Sequence, residues 1–317
     1  MDPERAHHFG MFVIRLASAI GLTKILRRTS KNQVHVMGLE FNGPFGLAAG
    51  FDKNSKAVIA LGELGFSHVE IGTVTAIAQP GNEKPRLFRL TKDRALINRM
   101  GFNNDGAEVI AGRLAELRTS KEKLPVIGVN IGKSKLVELA NAVEDYRLST
   151  KLLAPYADYL AINVSSPNTP GLRSLQSVAA LKPILEAVLA ESVGKPVLVK
   201  IAPDLADEDV VAVCELAESL GLAGVIATNT TVGRSELITE NYADFGEGGL
   251  SGAPLHSRAL EVLKLIRKSV AKEFVVISVG GVETKDQVEE RIKAGANLVQ
   301  GYTGFVYFGP LWARKLN

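Results

Sequence analysis

The stretch YLAINVSSPNTPGLR, residues 159–173, is the most informative part of the chain. Its first four residues are apolar and predict a buried strand. The polar residues that follow end the strand, because two prolines and a glycine do not continue a strand or a helix. A loop of this kind places hydrogen-bonding side chains at the rim of a sheet, where functional groups concentrate. Ser, Asn and Pro also form ordinary turns, so the loop alone leaves a capped turn open.

Apolar runs like this one recur along the chain and alternate with helical patterns. Candidate strands lie at 44–50, 68–74, 125–131, 159–165, 197–202, 223–229, 274–280 and 297–303. Helical spacing occurs at 53–65, 103–119, 177–192, 206–220, 256–271 and 284–294. Strands that alternate with helices, without a domain linker, predict an α/β fold, a (β/α)8 TIM barrel, over residues 36–317. A doubly wound open sheet has the same alternation and is the main alternative.

The barrel prediction requires functional side chains to follow the strands, on the carboxyl-terminal face. Polar residues or glycines stand at or just after each predicted strand end. They are Lys53, Thr73, Asn130, Asn163 with Ser166, Lys200, Thr228 with Asn229 and Thr230, Gly280 with Gly281, and Tyr302 with Thr303. Polar side chains in apolar strands are costly unless they are satisfied, so we expect these residues to share one site.

Two long segments, 76–102 and 230–253, interrupt the alternation. Long loops without structure of their own are commonly lids or binding loops in compact domains. We therefore expect both segments to be structureless loops that cover the site.

The composition is that of a globular protein with a substantial core. The 317 residues are 46% hydrophobic and 22% charged, and a net charge of +3 is too small to indicate a nucleic-acid partner. A single cysteine, Cys214, excludes a disulfide framework and favours a reducing compartment. The five histidines lack metal-binding spacing, and we predict no protein-bound metal.

Residues 1–35 differ from the rest and predict an amphipathic helical extension. The apolar run is broken by Arg15 and is too short to span a bilayer. A signal peptide would carry its basic residues first, whereas here they come last. They are Lys24, Arg27, Arg28 and Lys31. Such a segment lies on a membrane surface or packs as two helices on the barrel, and both interpretations stay open.

The strand ends indicate two kinds of binding. Gly280-Gly281 and Tyr302-Thr303, with Ser251-Gly252, suit a phosphate, because barrel enzymes bind phosphate in this region and glycines let N–H groups approach an anion. Tight turns are the alternative there. Four amides on four separate loops match a small ring with several carbonyl and N–H groups. They are Asn98, Asn163, Asn168 and Asn229.

Two lysines at strand ends leave the chemistry open. Lys53 or Lys200 is suited to neutralise an anionic ring, to bind a carboxylate, or to form a Schiff base as in barrel aldolases. A lyase or isomerase without flavin therefore stays an alternative, as does a non-enzymatic protein that binds a membrane surface.

The sequence resembles the class 2, membrane-associated, quinone-dependent branch of the dihydroorotate dehydrogenase family. The matching motifs extend from about residue 2 to residue 310 and are together highly specific. They are LAAGFDK (47–53), EIGTV (70–74), PRLFRL (85–90), INRMGFN (97–103), NVSSPNTPGLRSLQ (163–176), VKIAPD (199–204), TNTT (228–231) and GGLSG (248–252).

The resemblance implies an enzyme (EC 1.3.5.2-type) of de novo pyrimidine biosynthesis that oxidises dihydroorotate to orotate, with one FMN per chain. FMN would be held by Ala49, Gly50, Thr73, Asn130, Asn163, Lys200 and Thr228, with its phosphate near Gly252, Gly281, Tyr302 and Thr303. Dihydroorotate would be bound by Lys53, Asn98, Arg99, Met100, Gly101, Phe102, Asn163, Asn168, Asn229 and Thr230.

The resemblance also assigns a base. Ser166 stands where the soluble class 1 branch has a cysteine, and it would take a proton from C5 while hydride passes from C6 to flavin N5. A serine hydroxyl is a poor base in water, so its proton must be relayed onward, with Thr169 and a trapped water as helpers. Phe102 would keep the site dry.

The start of the chain, DPERAH at residues 2–7, resembles the class 2 helical extension, which forms a tunnel for quinone. By position, His7, Arg89 and Tyr302 match the polar residues near the quinone head. The resemblance implies a monomer attached peripherally to the cytoplasmic face of the cell membrane. Many class 2 members carry further apolar residues before this motif, so a shorter first helix is expected here. Fumarate or NAD is the alternative acceptor, and NAD would require an iron–sulfur partner subunit.

Overall fold

Eight parallel strands close into a barrel in the computed structural model of the chain, which describes residues 2–26, 30 and 32–317. In chain order the strands are β1 (Val34–Val36), β2 (Leu39–Phe41), β3 (Phe45–Leu47), β4 (His68–Val74), β5 (Leu87–Leu90), β6 (Ala95–Asn98), β7 (Val126–Gly132), β8 (Tyr159–Asn163), β9 (Val197–Ile201), β10 (Gly224–Ala227), β11 (Gly249–Gly252), β12 (Val275–Val279) and β13 (Leu298–Gly301). The helices are α1 (Pro3–Ala19), α2 (Val58–Glu63), α3 (Ala107–Arg118), α4 (Ala142–Leu153), α5 (Val178–Glu191), α6 (Asp207–Ser219), α7 (His256–Ser269), α8 (Lys285–Lys293), α9 (Thr303–Phe308) and α10 (Trp312–Leu316).

The barrel order is β3-β4-β7-β8-β9-β10-β12-β13, and β13 pairs with β3. The TIM-barrel prediction is therefore confirmed, and a doubly wound open sheet is excluded because the sheet has no edge. Every predicted strand is present; β4 matches its predicted range, β7 is shifted by one residue, and the other six are shorter than predicted. The barrel strands are buried on both faces, since helices cover their outer side, which explains their continuous apolar runs.

Several regions differ from the expectation. Segment 76–102 is not structureless, because β5 and β6 form an antiparallel hairpin to which β11 adds a third strand. The predicted helix at 53–65 is confined to α2, and α4 was not identified from the sequence. The hairpin of β1 and β2 was also missed; its Phe41 packs on the barrel interior and closes the end opposite the polar strand ends.

The amino-terminal segment forms one long helix, α1, followed by a short 3-10 turn at Thr23–Leu26 rather than by a second α-helix. Asp2 caps α1, because its side chain accepts the Arg5 N–H at 2.9 Å. Large apolar side chains of the segment are exposed, among them Phe9, Phe12, Leu16 and Ile20. The basic residues Arg27, Arg28 and Lys31 lie outside the described residues. In the described part of the chain, no helix has the length and apolarity needed to cross a bilayer.

Candidate active site

One cavity at the carboxyl-terminal ends of the barrel strands collects most of the predicted site residues. Its wall includes strand ends, the β5–β6 hairpin through Leu87 and Leu96, and α1 through Glu4 and His7. The predicted residues on the wall are His7, Ala49, Gly50, Lys53, Thr73, Asn98, Met100, Gly101, Phe102, Asn163, Ser166, Asn168, Lys200, Thr228, Asn229, Thr230, Gly252, Gly281, Tyr302 and Thr303. The strand-end pattern thus identified one contiguous site.

Three predicted residues are not on this wall. Asn130 lies one layer deeper, where its amide carbonyl accepts the Thr73 hydroxyl at 2.6 Å. Arg99 stacks over the Phe88 ring, 4.6 Å from its centroid, and donates to backbone carbonyls of segment 230–253. Arg89 lies on β5 with an exposed side chain.

One residue that sequence reasoning missed is Glu70, which is fully buried inside the barrel on β4. Its carboxylate accepts hydrogen bonds from four side chains. The donors are Lys200 Nζ at 3.1 Å, Asn130 Nδ2 at 2.8 Å, Gln300 Nε2 at 2.9 Å and Tyr159 OH at 3.3 Å. Burial acts to raise the pKa of Glu70, but the Lys200 charge and these hydrogen bonds outweigh it and lower the pKa below its usual value. Glu70 is therefore an anion paired with Lys200.

The cavity amides are fixed from beneath by the same network. Asn163 Nδ2 donates to Thr73 Oγ1 at 3.0 Å and to Asn130 Oδ1 at 3.3 Å. Asn229 Nδ2 then donates to Asn163 Oδ1 at 3.1 Å and to Ser165 Oγ at 2.9 Å. Each amide has its orientation set before any ligand arrives, which is the preorganisation that selective recognition needs.

Ser166 is buried beside two of those amides. Its Oγ accepts the Asn168 N–H at 3.2 Å, and Asn168 Nδ2 donates to Asn98 Oδ1 at 3.1 Å. Thr169 is buried next to it in sequence, and Phe102 lines the same cavity. The hydroxyl therefore lies on the cavity wall with little of its residue exposed to solvent.

Lys53 is the cationic group on the cavity wall nearest to α1. Its Nζ donates to the Gly50 carbonyl at 2.8 Å. Burial lowers the pKa of Lys53 to about 8, and the Glu4 charge only partly offsets that effect. A bound carboxylate would restore the protonated amine, so Lys53 suits an anionic ligand.

One end of the cavity is shaped for an anion. Gly252 and Gly281 have positive φ angles of +105° and +71°, and a Cβ at Gly281 would come within 2.6 Å of His256 Cβ. The Ser251 and Thr303 hydroxyls lie 2.8 Å apart at the same end. Sequence reasoning also missed Arg291, a buried guanidinium behind this end that donates to the Gly280 carbonyl at 2.9 Å. Backbone concavity, hydroxyls and a nearby cation together fit a phosphate.

Comparison with known proteins gives a consistent result. A family model described as dihydroorotate dehydrogenase matches residues 31–317. The curated protein "Dihydroorotate dehydrogenase (quinone)" of Clavibacter sepedonicus is 58% identical over 100% of this chain and 94% of its own length. Its namesake from Thermobifida fusca (strain YX) is 54% identical over 100% and 88%.

Solved structures agree with this assignment. DHODH from Eimeria tenella in complex with ferulenol superimposes with a TM-score of 0.91 at 40% identity, covering 99% of this chain and 89% of that chain. The ligand-free form from the same organism gives a TM-score of 0.91 at 39% identity, with 99% and 93% covered. The resemblance found in the sequence motifs is confirmed.

The Glu70–Lys200 pair leads to a stability prediction. Glu70→Gln should lower the free energy of unfolding by about 3–5 kcal/mol, because it leaves a buried cation without its counter-charge. Urea denaturation followed by circular dichroism measures the change. Glu186→Gln is the control, since it removes an exposed pair with Lys182 at 3.9 Å and should cost less than about 0.5 kcal/mol. Equal losses in the two variants would contradict the prediction.

Proposed function

The chain belongs to the dihydroorotate dehydrogenase family, and we propose that it oxidises dihydroorotate to orotate and passes the electrons to a quinone. The observation that carries the proposal is one cavity in which four oriented amides, a cationic lysine and a buried serine converge. This set suits a small anionic ring with several carbonyl and N–H groups. The names of the curated relatives support quinone as the acceptor rather than fumarate or NAD.

FMN is the cofactor we assign to the cavity. The anion-shaped end around Gly252 and Gly281 would hold its phosphate, with the Thr303 hydroxyl beside it. Lys200 and Asn163 would contact the flavin ring, and the remaining contacts would come from Ala49, Gly50, Thr73, Asn130, Thr228 and Tyr302. Once bound, FMN supplies a two-electron carrier between dihydroorotate and quinone.

Substrate binding is assigned to residues around the serine loop. Lys53 holds the carboxylate of dihydroorotate, and the amides pair with its ring carbonyl and N–H groups. Those amides are Asn98, Asn163, Asn168 and Asn229. Met100, Gly101, Phe102 and Thr230 complete the wall, and Arg99 acts from outside it by holding the loop.

Ser166 is assigned as the base. Its hydroxyl accepts the proton from C5 while the hydride leaves C6, so a C5=C6 double bond forms and orotate results. The serine proton passes onward by way of Thr169 or a water, because a neutral hydroxyl cannot keep an added proton near pH 7. The Asn168 N–H that points at Ser166 Oγ stabilises negative charge that develops on this oxygen.

Residues 1–35 are assigned to quinone access and residues 36–317 to catalysis. His7 lines the cavity, its ring lies 4.7 Å from the Phe51 ring, and Phe51 is 5.7 Å from the Tyr302 ring. Arg89 completes the assigned quinone residues. The exposed apolar side chains of α1 suit an interface between membrane and water. We also propose that the protein is a monomer held peripherally on the cytoplasmic face of the membrane.

An anaerobic experiment tests the proposal. Dihydroorotate is mixed with the purified protein while visible flavin absorbance is followed, and a short-chain quinone is then added. We expect bleaching and then recovery, one for each half-reaction. Bleaching without recovery would remove quinone as the acceptor, and a protein that does not bleach after FMN reconstitution would overturn the dehydrogenase itself.

Removal of the base should separate flavin binding from chemistry. Ser166→Ala should keep its flavin and lower the rate of flavin reduction by about 10²–10⁴-fold, because proton transfer loses its acceptor. Rapid mixing with dihydroorotate measures the rate. Ser174→Ala alters an exposed serine of the same segment and should reduce at the unmodified rate. Unchanged reduction in Ser166→Ala would exclude this serine as the base.

Orotate binding should depend on pH through Lys53. Its pKa is lowered to about 8 by burial, so the amine is charged below that pH and becomes neutral above it. We expect the dissociation constant of orotate to be flat below pH 8 and then to rise by up to about tenfold per unit. Titration of oxidised protein between about pH 6.5 and 9.5 measures it. Lys53→Arg is the control, because arginine keeps its charge throughout this range. The difference between the two proteins in how the dissociation constant changes with pH therefore reports on Lys53. The same pH dependence in both proteins would contradict the assignment.

A further inference from the structure

The ion pair between Glu4 and Arg86 joins the amino-terminal helix to the barrel loops. Glu4 lies in the first turn of α1, and Arg86 directly precedes β5; each is 6% exposed. The guanidinium donates from Nε to Glu4 Oε2 at 3.1 Å and from Nη2 to Oε1 at 2.7 Å. The hydrogen bonds and charge of Arg86 outweigh burial and lower the pKa of Glu4, so the pair is charged and bidentate.

The third nitrogen of Arg86 fixes the loop that follows β4. Its Nη1 donates to the carbonyls of Pro80 at 2.7 Å and Asn82 at 2.8 Å. Asn82 Nδ2 then donates to the carbonyls of Arg99 and Asn168, each at 3.1 Å. Arg86 therefore holds the residue that ties the β6 loop to the serine loop.

The proposed substrate residues stand on those two loops. Asn168 Nδ2 donates to Asn98 Oδ1, and the Asn168 N–H donates to Ser166 Oγ. The Asn82 side chain also packs on Gly101, where an added Cβ would come within 2.6 Å of Asn82 Cγ. One ion pair and one asparagine therefore connect α1 to the loops that carry the serine and the amides.

We infer that Glu4 and Arg86 are positioning residues that make the affinity for dihydroorotate depend on the docking of α1. The inference rests on the proposed function, because it concerns the substrate assigned above. The helix assigned to quinone access then also sets the geometry of the substrate loops. A disturbance of α1 is expected to weaken substrate binding even when no quinone is present, since the link is structural and not redox.

Glu4→Gln tests the inference, because it removes the charge and keeps nearly the same shape. The measurements are made at about pH 6.5, where Lys53 stays charged even without the support of the Glu4 carboxylate, so a weaker affinity does not come from the titration of Lys53. Anaerobic flavin reduction at increasing dihydroorotate gives the dissociation constant and the limiting rate separately. Titration of oxidised protein with orotate gives a second dissociation constant that involves no turnover. We expect both constants to rise about tenfold, the effect of one charge-assisted hydrogen bond, with the limiting rate within about twofold.

Two further variants sharpen the result. Glu4→Asp keeps the charge on a shorter side chain, so we expect a smaller rise; it also carries the test if Glu4→Gln does not fold. Glu83→Gln, an exposed carboxylate in the same loop, should leave both constants unchanged. Unchanged constants in both Glu4 variants, or a loss confined to the limiting rate, would overturn the inference. A wild-type protein that dihydroorotate does not reduce would overturn the proposed function instead.

Discussion

The buried carboxylate of Glu70 is the constraint on which the interior of the barrel depends. An ion placed there carries a desolvation cost of several kcal/mol unless its lone pairs are satisfied. Its four donors are Asn130 on β7, Tyr159 on β8, Lys200 on β9 and Gln300 on β13, so one carboxylate on β4 connects five strands. The four donors must lie at the same height along the barrel axis to reach this carboxylate. The network therefore fixes the register of those strands relative to one another. The layer beneath is mostly apolar, with the buried His68 packed against Phe41, and the layer above is the cavity.

The same network gives Lys53 and Lys200 different chemical roles, which the sequence alone did not distinguish. Lys200 lines the cavity but forms an ion pair with Glu70, so its amine is poorly suited to act as a free nucleophile. Lys53 donates to a backbone carbonyl, and burial lowers its pKa to about 8. A depressed pKa alone would also suit Schiff-base chemistry. The four oriented amides and Ser166 around Lys53 favour instead a lysine that binds the carboxylate of a planar ring.

The strands and the strand-end residues were predictable because their signals are local. A run such as residues 159–162 followed by polar residues and Pro167 shows both the strand and its functional end within a few positions. The third strand of the small sheet was missed because its pairing joins distant parts of the chain: Gly249 of β11 pairs with Asn98 of β6. Glu70 was overlooked for a different reason, since it was treated as part of an apolar strand although an acid there already requires a buried partner.

The Glu4–Arg86 pair helps to hold α1 on the barrel without covering the exposed apolar side chains of this helix. Glu4 and Arg86 are 82 positions apart, so no local pattern connects them. At the other end of the segment, Ser18 and Thr23 donate to the buried Glu63 at 2.7 and 2.5 Å. Polar contacts thus anchor both ends, and much of the apolar face stays exposed. Contiguous exposed apolar surface is uncommon on soluble monomers and typically marks a site of contact. Directional anchors hold the helix in place without covering that face, so docking on the barrel and the proposed contact with a membrane would not compete for the same side chains.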